Sequence, residues 1–352
     1  MLIPILIGLA VLSVILLAHE LGHFITAKAA GVRVEEFGLG FPPRLVSFNW
    51  GETRYSLNAI PFGGFTKLTG EEDPKEPRSL ASKKRGTRLL VLSAGSLMNL
   101  LLALMLFSGG YLIPREVIIG QVAVEEVAQN SPAAMAGIEA GDIILSVNDQ
   151  PVRNNNELHQ YIMDNLGKKT TLLIQHPDST SGSTEIIPRW EPPEGEGAIG
   201  ITIKTINSTT VIQRYPLWQV IPLGATELVE TVILWVDGLV SMFTGEAPAS
   251  FFGPIGIAQL TGEVAQFGII PLLKVAALIS LIVGIMNLFP LPAIDGGRIV
   301  FVLLEWVRRG KRVSPKKEGL VHLIGFAMLM SLMLLLTYQD IIRIISGGSL
   351  IP

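Results

Sequence analysis

Apolar residues in this chain gather into long uninterrupted runs, separated by shorter stretches of mixed or alternating polarity. Residues 2–18 carry no charge, and three later runs, 89–112, 269–291 and 320–338, are each of about spanning length, near 20 residues. Such a run satisfies its backbone groups within its own helix, the form a lipid interior accepts. A fifth apolar stretch, 217–243, holds Glu227, Glu230 and Asp237 at near-helical spacing. That pattern favours an amphipathic helix lying at the membrane surface, with a fifth span as the open alternative. Residues 44–48 and 53–57 read as short strands around the turn-like Asn49-Trp50-Gly51. The block 115–205 has the mixed polarity of a soluble domain, with a helix expected over 156–166 and a strand over 169–175. Residues 188–197, with three prolines and three glutamates, read as a loop.

These elements predict a multi-pass α-helical membrane protein with four transmembrane helices and one inserted soluble α+β domain. The divisions expected are 1–30 (first span), 31–87 (a membrane-associated β-hairpin region), 88–112 (second span), 113–205 (inserted domain) and 206–268 (amphipathic region). They continue with 269–297 (third span), 298–319 (basic segment), 320–342 (fourth span) and 343–352 (tail). Composition agrees, because 49% of the 352 residues are hydrophobic and only 16% are charged. A net charge of -3 gives no reason to expect a nucleic-acid partner, whereas the lipid bilayer is an obligatory one. The absence of cysteine excludes disulfides and thiolate metal ligands and suits either redox compartment. Ala27-Lys28-Ala29 has the look of a leader-peptide cleavage site, but no basic residue precedes the long first run, so a retained span is expected.

Basic residues orient the spans. Ten Lys or Arg fall in 33–88 and seven in 298–317, which the positive-inside rule places in the cytoplasm. Both termini and residues 113–268 are then expected on the outer side.

Candidate chemistry sits at the end of the first run, in His19-Glu20-Leu21-Gly22-His23. Histidines four apart share one helix face and can hold a metal ion, with the intervening glutamate placed to act as general base. Ionisable groups beside an uncharged span are costly unless paired or metal-bound; the plainer alternative is that these histidines cap the span in the interface. At a rise of 1.5 Å per residue, His19 is about 26 Å along the axis from Leu2, near the cytoplasmic face of a core about 30 Å thick. The third run also travels inward and ends in Asn287-Leu288-Phe289-Pro290-Leu291-Pro292-Ala293-Ile294-Asp295-Gly296-Gly297, which brings Asp295 to similar depth. A carboxylate meeting two histidines would give three protein ligands and leave a fourth position open. The alternative is that Asp295 merely caps a helix over 298–309. Imidazole and carboxylate suit zinc, and also iron or cobalt.

Taken together, these segments resemble the site-2 protease family of intramembrane zinc metalloproteases. The likeness rests on the histidine motif, on Asn287 through Gly297, on Phe37-Gly38-Leu39-Gly40-Phe41, on Pro61-Phe62-Gly63-Gly64-Phe65, on Gly95 with Asn99, and on Gly253-Pro254-Ile255-Gly256-Ile257. The chain departs from the family pattern at Ser96, where proline is frequent, and at Ile294, where leucine is. Residues 117–122, 131–138 and 141–148 resemble a PDZ domain of the bacterial protease type. The resemblance implies one Zn2+ per chain on His19, His23 and Asp295, with Glu20 as catalytic base. It implies that Asn287 and Asn99 hold the substrate backbone, interhelical packing being the alternative for Asn99. It further implies single-span membrane-protein substrates already cut by another protease, and a place in the bacterial inner membrane with the PDZ domain extracytoplasmic. Two rivals from other classes are a membrane-anchored PDZ adaptor and a metal transporter, the latter disfavoured because ionisable residues do not recur along several spans. His159, His176 and His322 lack ligand spacing and are expected to pack or lie at the surface.

Overall fold

The computed structural model describes residues 2–71, 74–193, 195–245 and 252–346. The chain divides into two units, Met1–Ile113 with Tyr215–Pro352, and Pro114–Arg214.

The first unit begins with α1 (Leu2–Ala29), whose chain reverses at Gly31, a residue at φ 66 that L side chains rarely adopt. Two long strands follow, β1 (Val34–Trp50) and β2 (Thr53–Leu68), joined at Gly51-Glu52, so Asn49 and Trp50 of the predicted turn belong to β1. Each strand is also far longer than its predicted core. Residues 34–39 pair with 54–57 on one side and 64–68 on the other, while 44–50 pair with 53–58. Two bent strands thereby make a small sheet in the order 44–50, 53–58, 34–39, 64–68. Bends at Pro42-Pro43 and near Gly63 permit this, and neither reads as part of an alternating strand. At the hairpin's far end Leu45, Val46, Phe48, Trp50 and Leu57 are all exposed.

Helix α2 (Arg85–Leu112) completes the first half of this unit. The second half holds α5 (Leu217–Thr244), α6 (Pro254–Ala265), α7 (Ile269–Met286), α8 (Asp295–Val307) and α9 (Pro315–Ile345). Among the described residues, four helices are long and apolar enough to cross a membrane: α1, α2, α7 and α9. Their packing follows the rule for helices in lipid, where small residues let backbones approach. A Cβ at Gly22 would strike the Ala94 carbonyl of α2, and one at Gly8 would strike the Ala258 carbonyl of α6. Helix α5 lies against α2 through Gly224 and Ser108, and its Glu227 pairs with Lys274 of α7 at 2.5 Å. The third predicted span, 269–297, is divided: α7 stops at Met286, the proline-bearing segment is irregular, and α8 starts at Asp295. Pro290 and Pro292 supply no N–H to a helix ladder and end α7. The predicted basic segment 298–319 is divided among the greater part of α8, a connection and the first turn of α9. In the predicted tail 343–352, residues 343–345 complete α9 and 347–352 lie outside the described residues.

The inserted unit contains β3 (Arg115–Val127), α3 (Pro132–Met135), β4 (Ile143–Val147), β5 (Gln150–Pro151), α4 (Asn155–Met163), β6 (Thr170–Gln175), β7 (Ser181–Ile186) and β8 (Ile201–Gln213). Its sheet is antiparallel throughout, in the order β7-β6-β4-β3-β8, with β5 beside β4. Helix α4 starts where expected for a physical reason: the Asn154 side chain accepts from Glu157 N at 2.8 Å, and the Glu157 carboxylate accepts from Arg153 N at 2.9 Å. Val122, Val124, Ile144, Leu158, Leu172, Ile174 and Ile186 form the core. The unit runs past the predicted limit of residue 205, because residues 206–213 continue β8 and pair with the start of β3.

Candidate metal centre

Three side chains far apart in sequence meet inside the first unit. His19 Nε2 and His23 Nε2 lie 2.9 and 3.1 Å from Asp295 Oδ2, and 3.2 Å from each other. Three hydrogen bonds among three such atoms would need more protons in that small space than it holds. A cation in their midst resolves the problem. Zinc bonds of about 2.0–2.1 Å at tetrahedral angles would set ligand atoms about 3.3 Å apart, close to what is seen.

The surroundings fit a metal as well. His23 Nδ1 donates to the Val91 carbonyl at 2.8 Å, which leaves the Nε2 lone pair facing inward. Helix α2 passes close behind both imidazoles only because residue 95 is glycine: a Cβ there would collide with Nε2 of His19 and of His23. The donor set and this cradle therefore suit a zinc ion.

Asn99, one helical turn from Gly95, is fully buried, with Nδ2 drawn 3.4 Å from His19 Nδ1 and Oδ1 unpartnered among the described residues. With His19 giving Nε2 to a metal, Nδ1 carries the proton, and an amide turned over accepts it at Oδ1. Asn99, expected either to hold a substrate backbone or to pack between helices, is buried beside His19. Asn287 sits at the end of α7, half-buried, where its Nδ2 donates to Val283 O at 2.9 Å and its carbonyl accepts from Gly296 N at 2.7 Å.

Two features hold Asp295 in place. Gly296 and Gly297 allow the segment from α7 to fold back on itself, since a Cβ on either would strike the carbonyls of Phe289 or Leu291. Farther along α8, buried Glu305 binds Arg88 of α2 at 2.5 Å, Arg312 at 3.2 Å and Arg85 at 3.4 Å, so the helix that begins at Asp295 is tied to the helix that carries Gly95. Asp295 is the first residue of α8, with Ile294 at the N-cap position, and its side chain goes to the histidines instead of capping the helix. Glu20 faces the sheet. Its Cγ lies 3.8 Å from where a Cβ on Gly64 would be, and its carbonyl accepts from Thr66 Oγ1 at 2.9 Å. The segment 64–68 is an edge of its sheet among the described residues, and it passes directly beside Glu20.

The remaining histidines are expected to be packing or surface groups. His176 binds fully buried Asp142 at 2.7 Å in the inserted unit. His322 of α9 has no partner at ligand spacing along its own helix, yet its Nδ1 accepts from Ala293 N at 3.1 Å, two residues from Asp295. Only its position beside the proline-bearing segment shows this, so the sequence carries no signal for it.

Residues 7–332 match the profile of Peptidase family M50. A putative zinc metalloprotease of Clostridium acetobutylicum is 36% identical over 345 residues, covering 96% of this chain and 97% of that one. The zinc metalloprotease RasP of Oceanobacillus iheyensis is 29% identical over 415 residues, covering 94% of this chain and 97% of that one. Among solved structures, the PDZ domain of an SdrC-like protein from Listeria monocytogenes is 25% identical over 23% of this chain and 85% of its own, with a TM-score of 0.21; so slight an overlap carries no argument.

Proposed function

The chain belongs to peptidase family M50 and is a multi-pass zinc metalloprotease, and from that premise we propose that it cleaves peptide bonds in or beside the membrane-spanning segments of single-span membrane proteins. The observation that carries this reading is the meeting of His19, His23 and Asp295 at 2.9–3.2 Å inside a bundle of apolar helices. One ion per chain fits the single cluster of three ligand side chains found among the described residues.

His19, His23 and Asp295 hold the ion, and Asn99 and the Val91 carbonyl fix the two imidazole tautomers. When bound, zinc polarises the scissile carbonyl and brings the pKa of a water toward about 7. Glu20 takes a proton from the attacking water and returns it to the leaving amine. A helical substrate must first unwind, because its carbonyls are occupied by backbone hydrogen bonds. The free edge of residues 64–68 offers replacement partners, so an unwound segment adds to the sheet beside Glu20. Asn287, at the end of α7, holds the substrate backbone through its amide oxygen.

The positive-inside rule supports cytoplasmic placement of the β1–β2 hairpin and of the segment between α8 and α9, with both termini and the inserted domain outside a bacterial inner membrane. The inserted domain, of PDZ type, then screens out substrates with bulky outer portions, so cleavage follows an earlier cut by another protease. The hairpin's exposed Leu45, Val46, Phe48 and Trp50 suit contact with lipid.

The test is cleavage of a single-span substrate by the purified protein in detergent. Wild type is expected to cut and to lose activity on chelation, regaining it with zinc. Glu20→Gln is expected to retain zinc and lose at least about 100-fold in rate. A Glu20→Gln protein that cleaves at the wild-type rate removes Glu20 from the mechanism.

A further inference from the structure

The bend that delivers Asp295 to the histidines is braced from an unexpected direction. Ala293 lies at φ 78, in the left-handed region that a residue with a Cβ rarely occupies. Its N–H donates to Nδ1 of His322 at 3.1 Å. One turn further along α9, Gly325 lets the helix close on the same segment, since a Cβ there would collide with Pro292. The His322 ring itself rests against Phe301 of α8, with ring centroids 5.5 Å apart.

We propose that His322 is a positioning residue for the metal centre: by accepting the Ala293 N–H it holds the strained bend that presents Asp295 to His19 and His23. The physical argument has two parts. A backbone donor in an apolar setting needs an acceptor, and an L residue at positive φ persists only where its surroundings hold it there. His322 supplies both from α9, a helix otherwise little engaged with the rest of its unit: 6% of its most apolar stretch is buried, against 39% in α2. Acceptance at Nδ1 puts the imidazole proton on Nε2.

This inference rests on the metal-centre reading, so the experiment separates the two. Zinc retention by the full-length protein in detergent is measured by titration with a competing chelator, beside cleavage and thermal unfolding. His322→Leu, which cannot accept, is expected to bind zinc about ten-fold more weakly, with kcat falling and KM little changed. His322→Asn, whose amide oxygen can take the place of Nδ1, is expected to recover most of the affinity. Ala293→Gly removes the conformational strain, so His322→Leu is expected to cost less in that background than in wild type. The double variant also keeps the test intact if His322→Leu alone does not fold. Wild-type zinc affinity in His322→Leu overturns the proposal and leaves the metal centre standing. The proposal is equally overturned if the melting temperature falls with zinc affinity unchanged, or if neither His322→Asn nor Ala293→Gly relieves the loss. A wild-type protein that holds no zinc overturns the metal-centre reading itself.

Discussion

Among the described residues, two places bring histidine against aspartate, and they do different things with it. In the inserted domain His176, exposed over 37% of its side chain, meets Asp142, which is wholly buried, at 2.7 Å; the second Asp142 oxygen accepts from Glu139 N at 2.9 Å. That arrangement closes a turn and leaves nothing over. In the helical unit two histidines converge on one oxygen of Asp295, their outer nitrogens are engaged by Val91 and lie beside Asn99, and Gly95 keeps the space behind them clear. Residue types and contact distances are alike in the two places. What differs is the number of inward lone pairs and the room between them, and those make one a bracket and the other a metal centre.

The comparison can be broken most sharply at Asp295. Asp295→Ala leaves two imidazoles with no carboxylate and is expected to weaken zinc binding by more than about 100-fold, read by chelator competition. Retention of wild-type affinity would remove Asp295 from the ligand set. Gly95→Ala tests the space rather than the ligands. Its methyl group must displace both imidazoles, so an affinity loss of about 10- to 100-fold is expected with all three ligands intact, and unchanged binding would show that the gap is not used. His176→Ala should move a different quantity. The inserted domain should lose about 1 kcal/mol of stability from the lost bond to Asp142, measured by its own melting transition, with zinc affinity unaltered. A change in zinc affinity would mean the two sites are coupled.

The smallest expected effect is at Glu52, a carboxylate held by fixed cations instead of histidines. Arg78, first, and Lys28 hold it from 2.5 to 3.0 Å and depress its pKa from the usual 4.5 to about 2. A depressed folded-state value means the pairing stabilises the fold above the unfolded value near 4.5 and is lost as pH falls from there through about 2. Proteolytic nicking near Arg78 is expected to rise slightly over that window in wild type. In Glu52→Gln the rise should be absent and nicking should already be at the higher level at neutral pH, though salt screening keeps the difference small. A pH dependence that survives Glu52→Gln assigns the titration elsewhere.

Much of this was legible in the chain because its physics is local. An uncharged run of spanning length has one favourable form in lipid, and histidines at i and i+4 share a face wherever the helix is placed. Asp295 was legible through depth arithmetic, since two runs entering from the same side bring their far ends to one level. The strand lengths were less so: only 44–48 and 53–57 read as strands, whereas the chain bends at Pro42-Pro43 and near Gly63 within strands that continue. Residues 206–213 carry no signal of their own for the inserted domain; their pairing with Arg115–Gln121 places them there. The α5 stretch kept its acidic residues, one of them neutralised by Lys274, a partner no spacing within α5 could reveal.

The sequence by itself determined that the chain crosses a membrane, carries an inserted soluble domain and holds a histidine motif fit for metal, because each follows from periodicity and length within one segment. Only the tertiary structure decided what surrounds that centre: Gly95, Asn99, Glu305 and His322 acquire their meaning from what packs against them. Packing between helices in lipid turns on small residues and single hydrogen bonds whose partners lie on other helices, so the pattern along one helix cannot name them.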